Sequence, residues 1–147
     1  MAIATRQDAY IGGEWIPGDG EEIEVRSPAT GALLGTVAAS SRTQVDAAVQ
    51  AAADAFPAWR ATSLAKRAEL MFRIRELVAA RREEVARILT AEHGKVLSDA
   101  VGEVTRGLEV IEFACGIPTL LKGDMSEQAS TGIDVYSIRQ PLGVVAG

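Results

Sequence analysis

The chain of 147 residues contains one cysteine, one histidine and no asparagine, and only 5% of its residues are aromatic. A lone Cys115 excludes a disulfide framework and a zinc knuckle, and it suits a reducing compartment. Positive charge is also short: 15 Lys+Arg stand against 20 Asp+Glu, with a pI near 4.9. That balance excludes a nucleic-acid binder working by phosphate neutralisation, and Trp15 and Trp59 are too far apart in sequence for a base-stacking platform. No apolar run approaches the ~18–20 residues of a membrane span. Arg6, Gln7 and Asp8 stand where a secretory signal would place its apolar stretch, so a cytoplasmic location is expected, with no membrane and no nucleic-acid partner. What the chain does have is apolar content, 48% hydrophobic residues, enough for a real core and too much for a disordered tail.

Short strands and turns come first. Ala9–Ile11 and Glu14–Ile16 flank Gly12-Gly13, a hairpin-type pair. Glu24–Arg26 reads as a short extended piece, and Leu33 to Ala39 as another strand. Ser41 with Gln44 three residues on fits a capping box, in which each side chain satisfies a free backbone N–H. Val45, Ala48, Val49, Ala52 and Phe56 then recur at helical spacing up to Pro57, where that helix is expected to end. A second helix is predicted from Ser63 to Ala80, with Leu70, Ile74, Leu77 and Val78 on one side. A third is predicted from Glu83 to Glu92, stopping at Gly94. Arginines interleaved with glutamates over 63–95 describe a solvated helix surface.

The fourth predicted helix, Ser98 to Gly116, is apolar on two faces and is expected to end at Pro118. Val101, Val104, Leu108, Ile111 and Cys115 make one stripe. Gly102, Val110 and Phe113 make another, with Arg106 in its midst. Two apolar faces imply a helix sandwiched between layers. A polar stretch follows, then Asp134–Gln140 with strand-like alternation, then Gly143–Gly147, which resembles the first buried strand of a parallel sheet. Such a strand needs neighbours, so the chain is expected to be the front of a longer protein.

Few residues offer chemistry. His93 precedes a helix-ending glycine and reads as a capping or surface residue. Cys115 reads as a small core residue rather than a nucleophile. Gly94-Lys95 is not a phosphate loop, because Leu89 and Val96 stand where that motif needs Gly and Ser/Thr. Arg106 is the exception, because an arginine on a partly apolar face must find an anion. Glu103 and Glu109, three residues to either side, could supply one as ordinary helix pairs.

Three segments, Tyr10-Ile11-Gly12-Gly13-Glu14-Trp15, Ser27-Pro28-Ala29-Thr30-Gly31 and Ala55-Phe56-Pro57-Ala58-Trp59, occur in the order and spacing of the aldehyde dehydrogenase superfamily. Ala91–Lys95 is similar to that superfamily's Glu-x-Gly-Lys helix end. Gly102–Gly107, Glu112–Pro118 and Tyr136–Gly147 resemble the CoA-acylating methylmalonate-semialdehyde dehydrogenase branch. The resemblance runs from Tyr10 onward and covers about the first third of that family's length.

It implies an α/β fold, the N-terminal part of the aldehyde dehydrogenase architecture. Residues 1–122 would be the front of the NAD-binding domain, 123–141 an oligomerisation β-hairpin, and 142–147 the first strand of a Rossmann-like parallel sheet. It implies an enzyme that uses NAD and coenzyme A to convert methylmalonate or malonate semialdehyde into an acyl-CoA with loss of carbon dioxide. That complete enzyme would be a homo-oligomer, a dimer or tetramer, in which Arg106 binds the substrate carboxylate. The catalytic Cys, oxyanion Asn and dinucleotide contacts have no counterpart in this chain, which on that reading is inactive alone and binds no cofactor. The competing reading is a non-catalytic α/β interaction module derived from a dehydrogenase.

Overall fold

The computed structural model describes residues 8–147. Chain order is β1 (Ala9–Ile11), β2 (Glu14–Ile16), β3 (Glu22–Arg26), β4 (Leu33–Ala38), α1 (Arg42–Ala61), α2 (Leu64–Ala80), α3 (Arg82–His93), α4 (Leu97–Cys115), α5 (Ile117–Leu120), β5 (Met125–Ser130) and β6 (Ile133–Tyr136). The strands form three antiparallel two-stranded sheets, each joining consecutive strands. Gly12 and Gly13 turn the first with φ of 62° and 92°, angles that side chains with a Cβ resist. Tyr10 faces Trp15 across it, ring centroids 4.9 Å apart, a cross-strand aromatic pair.

The core lies among the helices, where α4 packs against both α2 and α3. Ala86 of α3 and Ala100 of α4 are fully buried, and Leu108 and Cys115 lie buried along the α4 stripe. Small residues at the contact let helix axes approach closely. Arg75 of α2 also reaches across to Glu112 of α4 at 2.8 Å while holding Glu76 of its own helix. Both carboxylates raise the Arg75 pKa, by accepting side-chain hydrogen bonds from it, Glu112 first and then Glu76. Gly94 ends α3 in the left-handed conformation, φ 78°, with Pro28 and Ala29 packed against the place a Cβ would occupy.

The start of α1 differs from a reciprocal capping box. Ser41 Oγ accepts from the Gln44 N–H at 3.2 Å, but the Gln44 amide reaches back to donate to the Pro17 carbonyl at 2.8 Å. Asp19 replaces it: one carboxylate oxygen accepts from the Ser41 N–H and the other from Ser41 Oγ, both at 2.7 Å. These two bonds hold the Asp19 carboxyl below the usual carboxylate range. A carboxyl with a lowered folded-state pKa contributes stability above its ordinary pKa and loses it as pH falls through the folded value. Asp19→Asn is therefore expected to flatten the acid limb of the stability curve, measured by thermal melts between neutral pH and pH ~3, a range set by ordinary carboxylate pKa values.

Three further expectations are corrected. Pro57 lies inside α1, which runs on to Ala61. The proline forfeits one backbone bond near the helix end, and the Thr62 N–H closes the last turn on the Ala58 and Trp59 carbonyls. The α4 helix stops at Cys115, and Pro118 opens the short α5 instead of ending α4, a position where its missing N–H costs nothing. The polar stretch after Asp124 is itself a strand, β5, and β6 stops at Tyr136 instead of Gln140. Residues 142–147, read as the first strand of a parallel sheet, pair with no strand among the described residues. Val144 and Val145 instead flank the α1 stripe near Val49, Ala52 and Phe56.

Candidate functional site

Arg106 occupies the middle of α4, one turn from Gly102 and one from Val110. Its guanidinium does not lie in an apolar enclosure. The side chain is 82% exposed and its Nη1 meets Glu109 Oε2 at 3.0 Å. Gly102 has open space beside it, and Val110 and Phe113 are each 69% exposed. The second apolar face of α4 is real in sequence but uncovered in this chain, so the sandwich expected there is not present among the described residues. Of the two glutamates flanking Arg106, Glu109 takes the pair. An exposed pair of this kind contributes little stability and is readily exchanged for a better anion.

Glu103 is occupied elsewhere. The Lys95 ammonium hydrogen-bonds its carboxylate, which lowers the Glu103 pKa first through that bond and then through the Lys95 and His93 charges. Lys95 thus ties the α3–α4 junction to α4, in keeping with its failure to fit a phosphate loop. His93 is exposed beside Gly94, and the Cys115 thiol is buried on the core-facing stripe. Cys115 lies nine residues beyond Arg106 on the same helix, about two and a half turns away, so it does not adjoin it. No group of three His, Cys, Asp or Glu capable of holding a metal occurs among the described residues. No helix among them is long and apolar enough to cross a membrane.

Residues 15–147 match the family model described as the aldehyde dehydrogenase family. The chain belongs to that family. Malonate-semialdehyde dehydrogenase 2 of Geobacillus thermodenitrificans (strain NG80-2) is 49% identical over 139 residues, which are 94% of this chain and 29% of that protein. An inferred acylating, mitochondrial methylmalonate-semialdehyde/malonate-semialdehyde dehydrogenase of Dictyostelium discoideum is 41% identical, over 99% of this chain and 28% of the relative. Among solved structures, an inferred methylmalonate-semialdehyde dehydrogenase of Sinorhizobium meliloti 1021, complexed with NAD, is 44% identical with a TM-score of 0.84. That likeness covers 91% of this chain and 28% of the solved one. The chain spans under a third of the length of these relatives.

The mixed helix and short-strand fold is that of the N-terminal part of aldehyde dehydrogenase structures. All sheets among the described residues are antiparallel hairpins.

Proposed function

We propose that this chain forms the front of an NAD-dependent, CoA-acylating dehydrogenase that oxidises methylmalonate or malonate semialdehyde, working in the cytoplasm. The observation that carries the reading is 49% identity, across 94% of the chain, to a protein named for malonate semialdehyde. Residues 1–122 serve as the front of the NAD-binding domain, 123–141 as the oligomerisation hairpin and 142–147 as the first strand of the Rossmann-like sheet. Arg106 binds the substrate carboxylate, exchanging its exposed Glu109 partner for the two carboxylate oxygens; its planar fork suits them, and Gly102 leaves room beside it.

The test is a dehydrogenase assay on a complete enzyme carrying this chain, with either semialdehyde, NAD and coenzyme A. NADH formation is expected. No turnover of either semialdehyde would remove the substrate assignment. The 147-residue chain alone is expected to be inactive; NADH formation by it with either semialdehyde would overturn the division of labour proposed here.

Assembly rests on the hairpin. Every residue of β5 and β6 is exposed, including Met125, Ile133, Val135 and Tyr136. Proline at position 137 would not test pairing with a second subunit, since the Ser137 N–H already donates to Asp124 of its own chain at 2.8 Å. Val135→Lys is the cleaner probe. It should weaken oligomers of the complete enzyme in sedimentation experiments, and unchanged association would count against the hairpin as the contact.

A further inference from the structure

A cleft of about 490 Å³ lies where the end of α1 and the start of α2 meet residues 138–141. Arg60, Arg67 and Arg139 line it, and no carboxylate does. Every other described arginine except Arg82 sits in an ion pair with Asp or Glu. Three of the four described arginines without a carboxylate therefore converge on one place. Glu69, two residues from Arg67, is committed to Arg73.

Arg67 carries the strongest signal. It is half-buried, its Cζ lies 5.9 Å from the centroid of the Trp59 ring, and its Nε is buried without a hydrogen-bond partner. A buried guanidinium N–H left unpaired is costly, and an incoming anion would recover that cost. The walls add to the effect. Leu64, Leu121, Ile138 and Pro141 give the cleft apolar sides, which strengthen any charge interaction between them.

We propose that this cleft binds a phosphorylated small molecule, with its phosphate oxygens held by Arg60, Arg67 and Arg139. Three planar donor forks exceed what the two oxygens of one carboxylate can satisfy, whereas phosphate groups offer more acceptors. The volume falls in the ~300–1,000 Å³ range of small-molecule sites. The proposal does not rest on the aldehyde reading, because no residue of this cleft is the one assigned to the semialdehyde.

Titration calorimetry of the 147-residue chain with sodium pyrophosphate, and in parallel with orthophosphate, tests it. Saturable binding is expected, with Kd raised tenfold or more by Arg139→Gln and by Arg67→Gln, and unchanged by Arg82→Gln. Arg139 is exposed and outside any helix or strand, so its variant remains informative even if loss of the Arg67–Trp59 contact disturbs packing. Equal affinity for the two anions assigns the site to a single phosphate group, and tenfold weaker orthophosphate binding assigns it to a diphosphate; both support the proposal. Absence of saturable binding, or an equal loss with Arg82→Gln, would overturn it and leave the cleft as a seat for a protein carboxylate or as plain cationic surface.

Discussion

Arg106→Leu in a complete enzyme is expected to lower kcat/KM for methylmalonate semialdehyde by about 1.5–3 kcal/mol, roughly 10- to 150-fold. The magnitude is that of a hydrogen bond to a charged group, and leucine removes all guanidinium donors while keeping an apolar side chain. Propanal, which has no carboxylate, should be turned over as before. The comparison between the two aldehydes is what gives the experiment its force. Loss of a structural arginine would damage both reactions, whereas loss of a carboxylate clamp damages one. In this chain the side chain is 82% exposed and paired only with Glu109, so leucine breaks no buried network and the fold should tolerate it. Equal losses on both substrates would make Arg106 structural and remove the residue-level support for the semialdehyde reading.

Ala100→Leu should have the largest effect on stability. Ala100 is fully buried on α4, the helix that packs against both α2 and α3. Three extra carbons have no space there without moving a helix. Overpacking of this kind costs about 1–3 kcal/mol, which for a chain of this size lowers Tm by roughly 3–10 °C. The same substitution at the exposed Ala53 of α1 is the control, since it adds bulk where nothing crowds it. A melting temperature unchanged by Ala100→Leu would mean that α3 and α4 do not pack as closely as the structure has them.

The helices were readable because their signals are local. Ser63 caps α2 through its hydroxyl, Gly94 ends α3 in a left-handed turn, and the Val101–Cys115 stripe marks the buried side of α4. Pro57 misled because a proline only four residues before a helix end sacrifices a single bond, which later packing can outweigh. β5 was invisible for another reason. Its residues Met-Ser-Glu-Gln-Ala-Ser alternate in nothing, and the pairing is irregular, with Gln128 at positive φ and its N–H donated to the Asp134 carboxylate at 2.8 Å. The setting of Arg106 was half legible. Periodicity shows that a helix has a second apolar face, but not whether anything lies against it. The arginine cleft was not legible as a site, since Arg60, Arg67 and Arg139 come from segments as far as 79 positions apart and meet only in the fold.

The three sheets described above each join strands that are consecutive in the chain, and α4 packs on helices that precede it closely. Such short-range pairings close small loops and form quickly once both partners exist. During synthesis, at ~5–20 residues per second, the segment takes roughly 7–30 s to emerge, while hairpins and helices form in microseconds. Each unit can therefore be in place before the next is made. The nascent chain would present a finished framework with the Val110–Phe113 face of α4 bare, a surface that a chaperone could shield.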